Sequence, residues 1–303
     1  MSDPAPAAYS YCVYGLGIRS EICLSELDET SAPADIRVRR GKVEPPQSSD
    51  GRSQIATEHD IYFRLNGAGA CHISRGEEIV IDAGHLDDHA AGQFVIGPAM
   101  GAVMHQRGLL VLHASAVLAE SGVLAFLGNC GDGKSTMAGA MLNQGCRAFS
   151  DDLAPVNLEG GEPTVLPGFA CLKLAPESGK ALGRLENDWK PILPEDRRSY
   201  VAVDGAPSRA AVRLLRIYVL GEGTAPAIEC LAPQDAAHEL IRFSYGCSWL
   251  QERSIAAHHL KSCAKLVGQV PVRRLVRPRR LDLLDDVAKL VMRDARQDHG
   301  AAS

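Results

Sequence analysis

Short runs of alternating apolar and polar residues occupy the first part of the chain, and this alternation predicts β-strands that are buried on one face. The runs are YCVYGLGIRS, IRVRR, IYFRLNG, ACHIS and EEIVIDAG. A polar stretch over residues 44–53, EPPQSSDGRS, predicts a surface loop between two of them. We therefore predict a small β-rich N-terminal domain over residues 1–86.

The pattern changes after residue 86 to one that is typical of an α/β fold. Apolar residues at near-helical spacing predict a helix over residues 87–106, which Gly108 is expected to end. Two apolar runs follow, and the second, GVLAFLG, leads into a glycine-rich turn and a predicted helix over residues 135–144. The next run, CRAFSDD, predicts a buried strand that ends on two acids. Strand, glycine loop, helix and strand in this order predict an α/β domain over residues 87–303, with strands and helices toward the C terminus.

The glycine-rich turn carries the most specific chemical signal in the sequence. Its residues, GNCGDGKS, match the pattern G-x-x-x-x-G-K-[ST] of phosphate-binding loops, and they follow a predicted strand and open a predicted helix. In such a loop the backbone N–H groups and the helix N-terminus face the phosphates, the lysine reaches the β/γ-oxygens and the hydroxyl reaches Mg²⁺. We therefore expect ATP and Mg²⁺ to bind here. The predicted nucleotide-binding residues are Gly128, Asn129, Cys130, Gly131, Asp132, Gly133, Lys134, Ser135 and Thr136.

Two adjacent carboxylates, Asp151 and Asp152, follow the next predicted strand, and α/β sheets bind ligands at the carboxyl ends of their strands. Phosphoryl transfer needs a metal ligand and a group that accepts or orients the proton of the attacking hydroxyl, and two carboxylates can divide these tasks. We expect Ser135 and Asp152 to bind the metal ion, while the division of roles between the two aspartates stays open. Neighbours in a regular strand point to opposite faces, so the second acid could instead be a turn or helix cap.

His113 lies in the apolar run LLVLHASAV, which is predicted to pair with the strand before the loop. Taken alone, a histidine there is more often a satisfied core residue than a functional one. Together, however, LHASAV, GNCGDGKST and RAFSDDLAPV resemble the HPr kinase/phosphorylase family, bacterial serine kinases whose fold is related to phosphoenolpyruvate carboxykinase. The specific resemblance covers about residues 109–156, and His113, Lys134, Asp151 and Asp152 fall on the positions of the family's histidine, loop lysine and aspartate pair.

The resemblance implies a P-loop kinase core of the HPr kinase/phosphoenolpyruvate carboxykinase type, with ATP and Mg²⁺ as cofactors. It also implies that one aspartate is the general base and that the histidine contacts the phosphoryl group. The flanking segments YGLGIRSEICLSEL, VLPGFACLKLAP and VPVRRLVRPRRLDLL look like a subgroup found with ribosomally made peptides. That subgroup includes kinases that phosphorylate the terminal serine of a lasso precursor peptide. The expected partner is therefore a peptide or small protein that bears an acceptor serine, and the oligomeric relatives leave a homo-oligomer open.

Additional cations are candidates for holding the charge that develops during phosphoryl transfer. Arg197 and Arg198, in the segment PEDRRSYV, and Lys173, in PGFACLKL, follow the acids in the sequence. A solvated charged loop is the other interpretation of the two arginines. A dense basic cluster precedes the last predicted helix and consists of Arg273, Arg274, Arg277, Arg279 and Arg280. We expect it to contact neighbouring acids or an anionic partner.

Composition narrows the class of partner and the compartment. The 32 basic and 37 acidic residues leave a net charge of −5, so we expect no nucleic-acid partner, and no apolar run is long enough to predict a membrane span. The N-terminal segment lacks the pattern of a secretory signal, and the nine cysteines include no C-x-x-C pair. We therefore expect a cytoplasmic protein with free thiols.

Two alternatives to a peptide kinase stay open at this stage. The same core could phosphorylate a small molecule, because a fold does not determine the substrate. It could also be a non-catalytic nucleotide-binding partner of a larger assembly, although the complete set of Lys134, Ser135 and two aspartates favours catalysis.

Overall fold

A computed structural model describes residues 8–46, 54–57, 59–65, 69–184, 189–193, 195–203, 210–246 and 253–297. Within these ranges the chain has the mixed α/β architecture that its sequence predicts. It divides into two compact units, one formed by Met1–Leu109 with Gly246–His259 and the other by Leu110–Tyr245 with Leu260–Ser303. No helix in the described ranges is long and apolar enough to cross a membrane.

The first unit contains a seven-stranded sheet with the strand order β1-β2-β3-β7-β6-β5-β4. Strands β2, β3 and β7 run parallel to one another and the remaining neighbours are antiparallel. The predicted alternation is present, since Ile36 and Val38 are buried and Arg37 between them is exposed. The strands are β1 (Tyr9–Val13), β2 (Leu16–Ser20), β3 (Ile36–Arg40), β4 (Gln54–Ala56), β5 (Asp60–Leu65), β6 (Gly69–Ser74) and β7 (Glu78–Asp82). Part of the predicted loop at 44–53 lies outside the described residues.

The helix predicted over residues 87–106 is present as three consecutive segments: α1 (Asp88–Phe94), a π-helical turn (Val95–Ala99) and α2 (Met100–Gln106). The side chain of Asp87 caps α1 by accepting a hydrogen bond from the backbone N–H of Ala90 at 2.8 Å. The π-helical turn contains Pro98, which lacks an N–H and cannot complete an α-helical ladder.

The first compact unit extends to residue 109, beyond the predicted division at residue 86. The reason is visible after β6, where Gly76 donates its N–H to Gln106 at 2.7 Å. The carbonyl of Gly76 accepts a hydrogen bond from the Arg107 guanidinium at 2.8 Å. These contacts tie the end of α2 to the turn between β6 and β7, and sequence periodicity carries no information about them.

The second unit contains a nine-stranded sheet with the order β11-β9-β10-β17-β13-β12-β8, and β19 pairs with both β17 and β18. Strands β10, β17 and β19 are parallel, whereas β9 lies antiparallel between β10 and β11. The strands of this sheet are β8 (Leu110–Leu112), β9 (Ala114–Ala119), β10 (Gly122–Leu127), β11 (Arg147–Ser150), β12 (Ala154–Asn157), β13 (Thr164–Val165), β17 (Val212–Glu222), β18 (Ala227–Cys230) and β19 (Val272–Arg277).

Hydrophobic clusters cover both faces of this sheet, which explains why β10 is apolar at every position. Leu124 and Phe126 belong to one cluster, while Val123, Ala125 and Leu127 belong to the other. Residues of α3 and α7 complete the first cluster, and residues of α5 and α6 complete the second. The helices of this unit are α3 (Lys134–Leu142), α4 (Pro176–Ala181), α5 (Pro233–Arg242), α6 (Arg253–Val267, which begins in the first unit) and α7 (Leu284–Gln297).

A third, small sheet follows the predicted acids in the sequence, after β12 and β13. It has the order β14-β16-β15, formed by Cys171–Leu174, Ser199–Ala202 and Trp189–Pro191 respectively. The segment EDRRSYV, which contains the two candidate arginines, ends inside β16.

Candidate active site

The strand order brings three predicted segments to one edge of the nine-stranded sheet. Because β9 runs antiparallel to both neighbours, its first residues pair with the last residues of β10 and β11, as in Ala114 with Leu127 and Ala116 with Ser150. His113 immediately precedes β9, the phosphate loop follows β10 and the two aspartates follow β11. The topology therefore places the histidine, the loop and the acids at a common edge.

The predicted phosphate loop, called the loop below, forms the turn between β10 and α3. Gly131 and Gly133 have φ angles of +84° and +87°, which lie in the left-handed region that favours glycine. The Lys134 ammonium donates hydrogen bonds to the carbonyl oxygens of Gly128 at 3.0 Å and Asn129 at 3.1 Å. The lysine thus lies back across the loop, and α3 begins at Lys134, one residue before the predicted start.

Asp132 braces the same loop from within. One of its carboxylate oxygens accepts hydrogen bonds from the backbone N–H of Asn129 at 2.6 Å and from its side-chain amide at 2.9 Å. Cys130, at the tip of the loop, is exposed, and the Thr136 hydroxyl donates to Ser178 at 3.1 Å. Loop residues therefore differ in role: some shape the backbone, and Cys130 faces solvent.

Asp151 is buried and binds two hydroxyl groups through a single oxygen. Its Oδ1 accepts hydrogen bonds from Ser115 at 2.5 Å and from Ser135 at 3.0 Å, while Oδ2 accepts the backbone N–H of Lys173 at 2.7 Å. Burial raises the pKa of the Asp151 carboxyl, although the hydrogen bonds from Ser115 and Lys173 partly oppose that rise. Burial therefore disfavours the charged form of Asp151 in spite of these hydrogen bonds and the nearby charge of Lys173.

Asp152 points to a different set of partners. Its Oδ1 lies 3.2 Å from Nε2 of His113, and its Oδ2 accepts a hydrogen bond from the Lys173 ammonium at 2.7 Å. Burial alone would raise the pKa of Asp152, but the hydrogen bond with His113 and the charge of Lys173 outweigh it and hold the pKa well below its usual value. Asp152 is therefore ionised at neutral pH.

The backbone explains how both neighbouring acids reach the site. Strand β11 ends at Ser150, and Asp152 adopts a φ of +74°, a left-handed conformation that aspartate tolerates better than most residues. The chain therefore leaves the alternating pattern of a strand before Asp152. The expectation that only one acid enters the site holds for a regular strand and does not apply to this turn.

The pKa values of the two lysines at the site, Lys134 and Lys173, depend on burial and on the charges of these acids. Burial lowers the pKa of Lys134, with the charges of Asp152 and Asp151 acting in the opposite direction. Burial would also lower the pKa of Lys173, but the adjacent Asp152 carboxylate outweighs it and raises that pKa. Lys173 also lies over the ring of Tyr200, 5.4 Å from its centroid.

The two predicted arginines occupy different environments, and Asp196 and, to a smaller extent, the charge of Asp152 raise the pKa of Arg198. The Arg197 side chain is 84% exposed, and its nearest carboxylate partner is Glu177 at 3.9 Å. Arg198 is half-buried and binds the carboxylate of Asp196 through two hydrogen bonds of 3.0 and 2.7 Å. The structure thus sets Arg197 apart from the cluster formed by His113, Lys134 and the aspartates.

Lys173 and Ser115 join the site although neither was among the assigned catalytic residues. Lys173 was named only as one candidate cation, and it enters from β14 in the separate small sheet. Ser115 was missed, but a signal for it exists: it lies two residues after His113 at the start of β9, and residues i and i+2 of a strand share a face.

Ser135 and Asp151 form the pair of oxygen donors that best fits Mg²⁺. Mg²⁺ usually binds through one or two protein oxygens while phosphate oxygens and water complete its octahedral shell. A metal ion would favour the charged form of the buried Asp151 carboxylate, which burial alone disfavours. In contrast to the sequence-based pairing of Ser135 with Asp152, the Ser135 hydroxyl is hydrogen-bonded to Asp151. The described residues contain no group of three or more His, Cys, Asp or Glu side chains that could hold a metal ion without such additional ligands.

Comparison with known proteins yields similarity to solved structures only. Neither a scan against protein-family models nor a search of curated proteins found a match. Among solved structures, the Hpr(Ser) kinase/phosphatase from Coxiella burnetii matches with a TM-score of 0.33 and 12% sequence identity. The match covers 63% of this chain and 99% of that one.

Proposed function

We propose that this protein is an ATP-dependent kinase that transfers the γ-phosphoryl group to a serine hydroxyl of a peptide or small protein. The observation that carries the proposal is the convergence at one sheet edge of a phosphate loop, a buried carboxylate beside the loop serine, and an ionised carboxylate beside a histidine and a lysine. Phosphoryl transfer requires these parts: a phosphate cradle, a metal ligand, a proton acceptor and cations for the developing charge.

The loop would bind the triphosphate through its backbone N–H groups and the N-terminus of α3. Lys134 now donates to loop carbonyls at 3.0 and 3.1 Å, so it is already at the loop and exchanges these acceptors for phosphate oxygens when the nucleotide binds. Ser135 and Asp151 would hold Mg²⁺, which supplies charge neutralisation and orientation of the phosphates when bound.

Asp152 is the best candidate for the group that orients the acceptor hydroxyl and takes its proton. It is ionised, and its oxygens contact His113 and Lys173, whereas the loop hydroxyl of Ser135 contacts Asp151. Because the pKa of Asp152 is held low, the proton would pass to it late, once the serine oxygen has begun to bond to the γ-phosphorus and become acidic and the bond to ADP is breaking. His113 and Lys173 would then stabilise the equatorial oxygens of the transferred group.

The acceptor class rests on the sequence resemblance rather than on the geometry. The resemblance of LHASAV, GNCGDGKST and RAFSDDLAPV to HPr kinases, and of the flanking segments to lasso precursor kinases, favours the C-terminal serine of a precursor peptide. A small-molecule acceptor would use the same catalytic groups, so the experiment must distinguish the two.

The test is incubation of the purified protein with ATP and Mg²⁺ and with a panel of serine-terminated peptides, followed by mass spectrometry. We expect a gain of one phosphoryl mass on a peptide, lost in Lys134→Met and in Asp152→Asn. Asp282→Asn is the matched control, since this exposed carboxylate pairs only with the neighbouring Arg280 in the described chain. Nucleotide turnover with transfer to metabolites but to no peptide would contradict the acceptor class, and absence of any transfer would contradict the proposal.

A further inference from the structure

The basic cluster that precedes α7 is not used by the proposed chemistry, and the structure divides it. Three members pair with acids away from the phosphate loop: Arg273 with Asp294, Arg274 with Glu239, and Arg280 with Asp282. The other two, Arg277 and Arg279, contact the loop itself. Since β19 runs parallel to β17, and β17 parallel to β10, the end of β19 reaches the edge where the loop lies.

Arg277 holds one peptide group of the loop from outside. Its Nη2 donates a hydrogen bond to the carbonyl oxygen of Asp132, and it packs so closely on Gly133 that a Cβ at that position would come within 2.8 Å of it. In a planar trans peptide the N–H points opposite to the carbonyl. With the Asp132 carbonyl turned toward Arg277, the N–H of Gly133 is turned away from it.

The Arg277 guanidinium is buried without forming an ion pair with a carboxylate of the described residues. The residue is only 8% exposed, and its Nε is buried without a hydrogen-bond partner. Among the described residues no carboxylate lies within ion-pair distance of it, because the Asp132 and Glu222 side chains bind Arg279, at 2.7 and 3.0 Å. Burial lowers the pKa of Arg277, as expected for a cation that lacks a close anion.

We propose that Arg277 is a positioning residue for nucleotide binding: it turns the N–H of Gly133 toward the phosphates and keeps a positive charge behind the loop that a bound phosphate compensates. The inference rests on the proposed function, because it assigns the loop's ligand to be the phosphates of a nucleotide. Arg279, which is neutralised by two carboxylates, would contribute little to this charge.

A cavity beside Arg277 allows a direct test by chemical rescue. It has a volume of about 130 Å³ and is bordered by Asp132, Glu222, Arg277 and Arg279, among others. In Arg277→Ala the space left by the guanidinium would join this cavity, so that free guanidinium ion can enter. Urea has almost the same shape but no charge, and it is the matched control for simple refilling of the space.

The measurement is the dissociation constant for Mg²⁺-ADP by isothermal titration calorimetry. We expect binding to Arg277→Ala to be about tenfold weaker than to the wild type, as for loss of one charge-assisted contact. Guanidinium at low millimolar concentration should restore most of the affinity, whereas urea should not. Arg280→Ala, in the same segment but paired with the exposed Asp282, should bind like the wild type.

Wild-type affinity in Arg277→Ala, or equal rescue by urea and guanidinium, would overturn the role of Arg277 alone. Absence of ADP binding by the wild type would instead overturn the proposed function. If Arg277→Ala does not fold by circular dichroism, Arg277→Gln replaces it, since it retains a donor for the Asp132 carbonyl but no charge. Unchanged affinity in that variant would likewise overturn the inference.

Discussion

Replacing either of the two adjacent aspartates by asparagine should change the stability of the protein, but in opposite directions for Asp151 and Asp152. In Asp151→Asn the amide oxygen can still accept the N–H of Lys173, and the new NH₂ group can donate to the hydroxyls of Ser115 and Ser135. The hydrogen bond from Lys173 is retained and the two with the serines form in the reverse direction, while a buried charge is removed. In Asp152→Asn, by contrast, the ion pair with the buried Lys173 is broken and an ammonium group is left without its carboxylate.

The structure sets the sign and the rough size of each effect. We expect Asp151→Asn to stabilise the protein without Mg²⁺ by about 1 kcal/mol, a rise in Tm of a few degrees, since a raised pKa marks a charge that folding disfavours. We expect Asp152→Asn to lower the free energy of unfolding by about 2 kcal/mol, because it breaks a largely buried ion pair. This loss is smaller than that for a fully buried ion pair, because the Asp152 side chain remains 26% exposed.

The pH dependence separates these effects from general damage. The pKa of Asp152 is lowered by folding, so its stabilisation is present above the usual value of 3.8 and is lost as the pH falls below it. The pKa of Asp151 is raised by folding, so its penalty is absent at low pH and develops as the pH rises above 3.8. Both variants should therefore approach the wild type in stability as the pH falls below 3.8.

The assay is urea unfolding followed by circular dichroism at pH 7 and pH 3, in EDTA and in Mg²⁺-ADP. Mg²⁺-ADP should stabilise the wild type by about 2.7 kcal/mol at a hundred times its dissociation constant, and this increment should shrink in Asp151→Asn. Destabilisation of Asp151→Asn by more than 1 kcal/mol in EDTA, or stabilisation of Asp152→Asn, would refute the assigned environments.

Three further predictions concern residues around the site and the core. Asp294→Ala should lower the free energy of unfolding in urea by about 3 kcal/mol. The substitution leaves the fully buried Arg216 and the hydroxyl of Tyr218 without their shared carboxylate. Stability like that of the wild type would contradict this prediction. Alkylation of the exposed Cys130 by iodoacetamide should abolish ADP binding. Prior addition of Mg²⁺-ADP should protect the thiol, and iodoacetamide should not affect ADP binding by Cys130→Ser. Retained binding after complete alkylation would argue against the loop as the phosphate site. His113→Ala should lower kcat by about a hundredfold with little change in ADP affinity, measured by steady-state kinetics and calorimetry, whereas a change in affinity alone would assign His113 to nucleotide binding.

The sequence was most informative where the chemistry is local. The phosphate loop is contiguous, and its glycines, lysine and serine impose a turn that the structure shows with left-handed Gly131 and Gly133. His113 and the two acids could be brought to the same edge on paper, because strand direction alone decides which strand ends coincide. The strand–loop–helix order was therefore predictable from pattern and motif, whereas the break of LLVLHASAV into β8 and β9 at His113 was not.

The division of labour at the site depends on features that no local pattern encodes. The pairing of Ser135 with Asp151 arises from a single left-handed residue, Asp152, which turns the second carboxylate away toward His113. Lys173 reaches the acids from a separate sheet more than 20 residues further along the chain. Arg277 reaches the loop from a strand 145 residues beyond Asp132, through pairing of β19 with β17. Such contacts follow from tertiary packing, which periodicity and composition do not specify.

Calorimetric titration of Mg²⁺-ATP into the wild-type protein and into Lys134→Met tests the central claim most directly. Every proposed step requires a nucleotide in the loop between β10 and α3, with Lys134 released from the carbonyls of Gly128 and Asn129 to its phosphates. The account predicts one binding site per chain in the wild type and a loss of at least tenfold in affinity in the variant. Absence of binding to the folded wild type, or equal binding by both proteins, would contradict it.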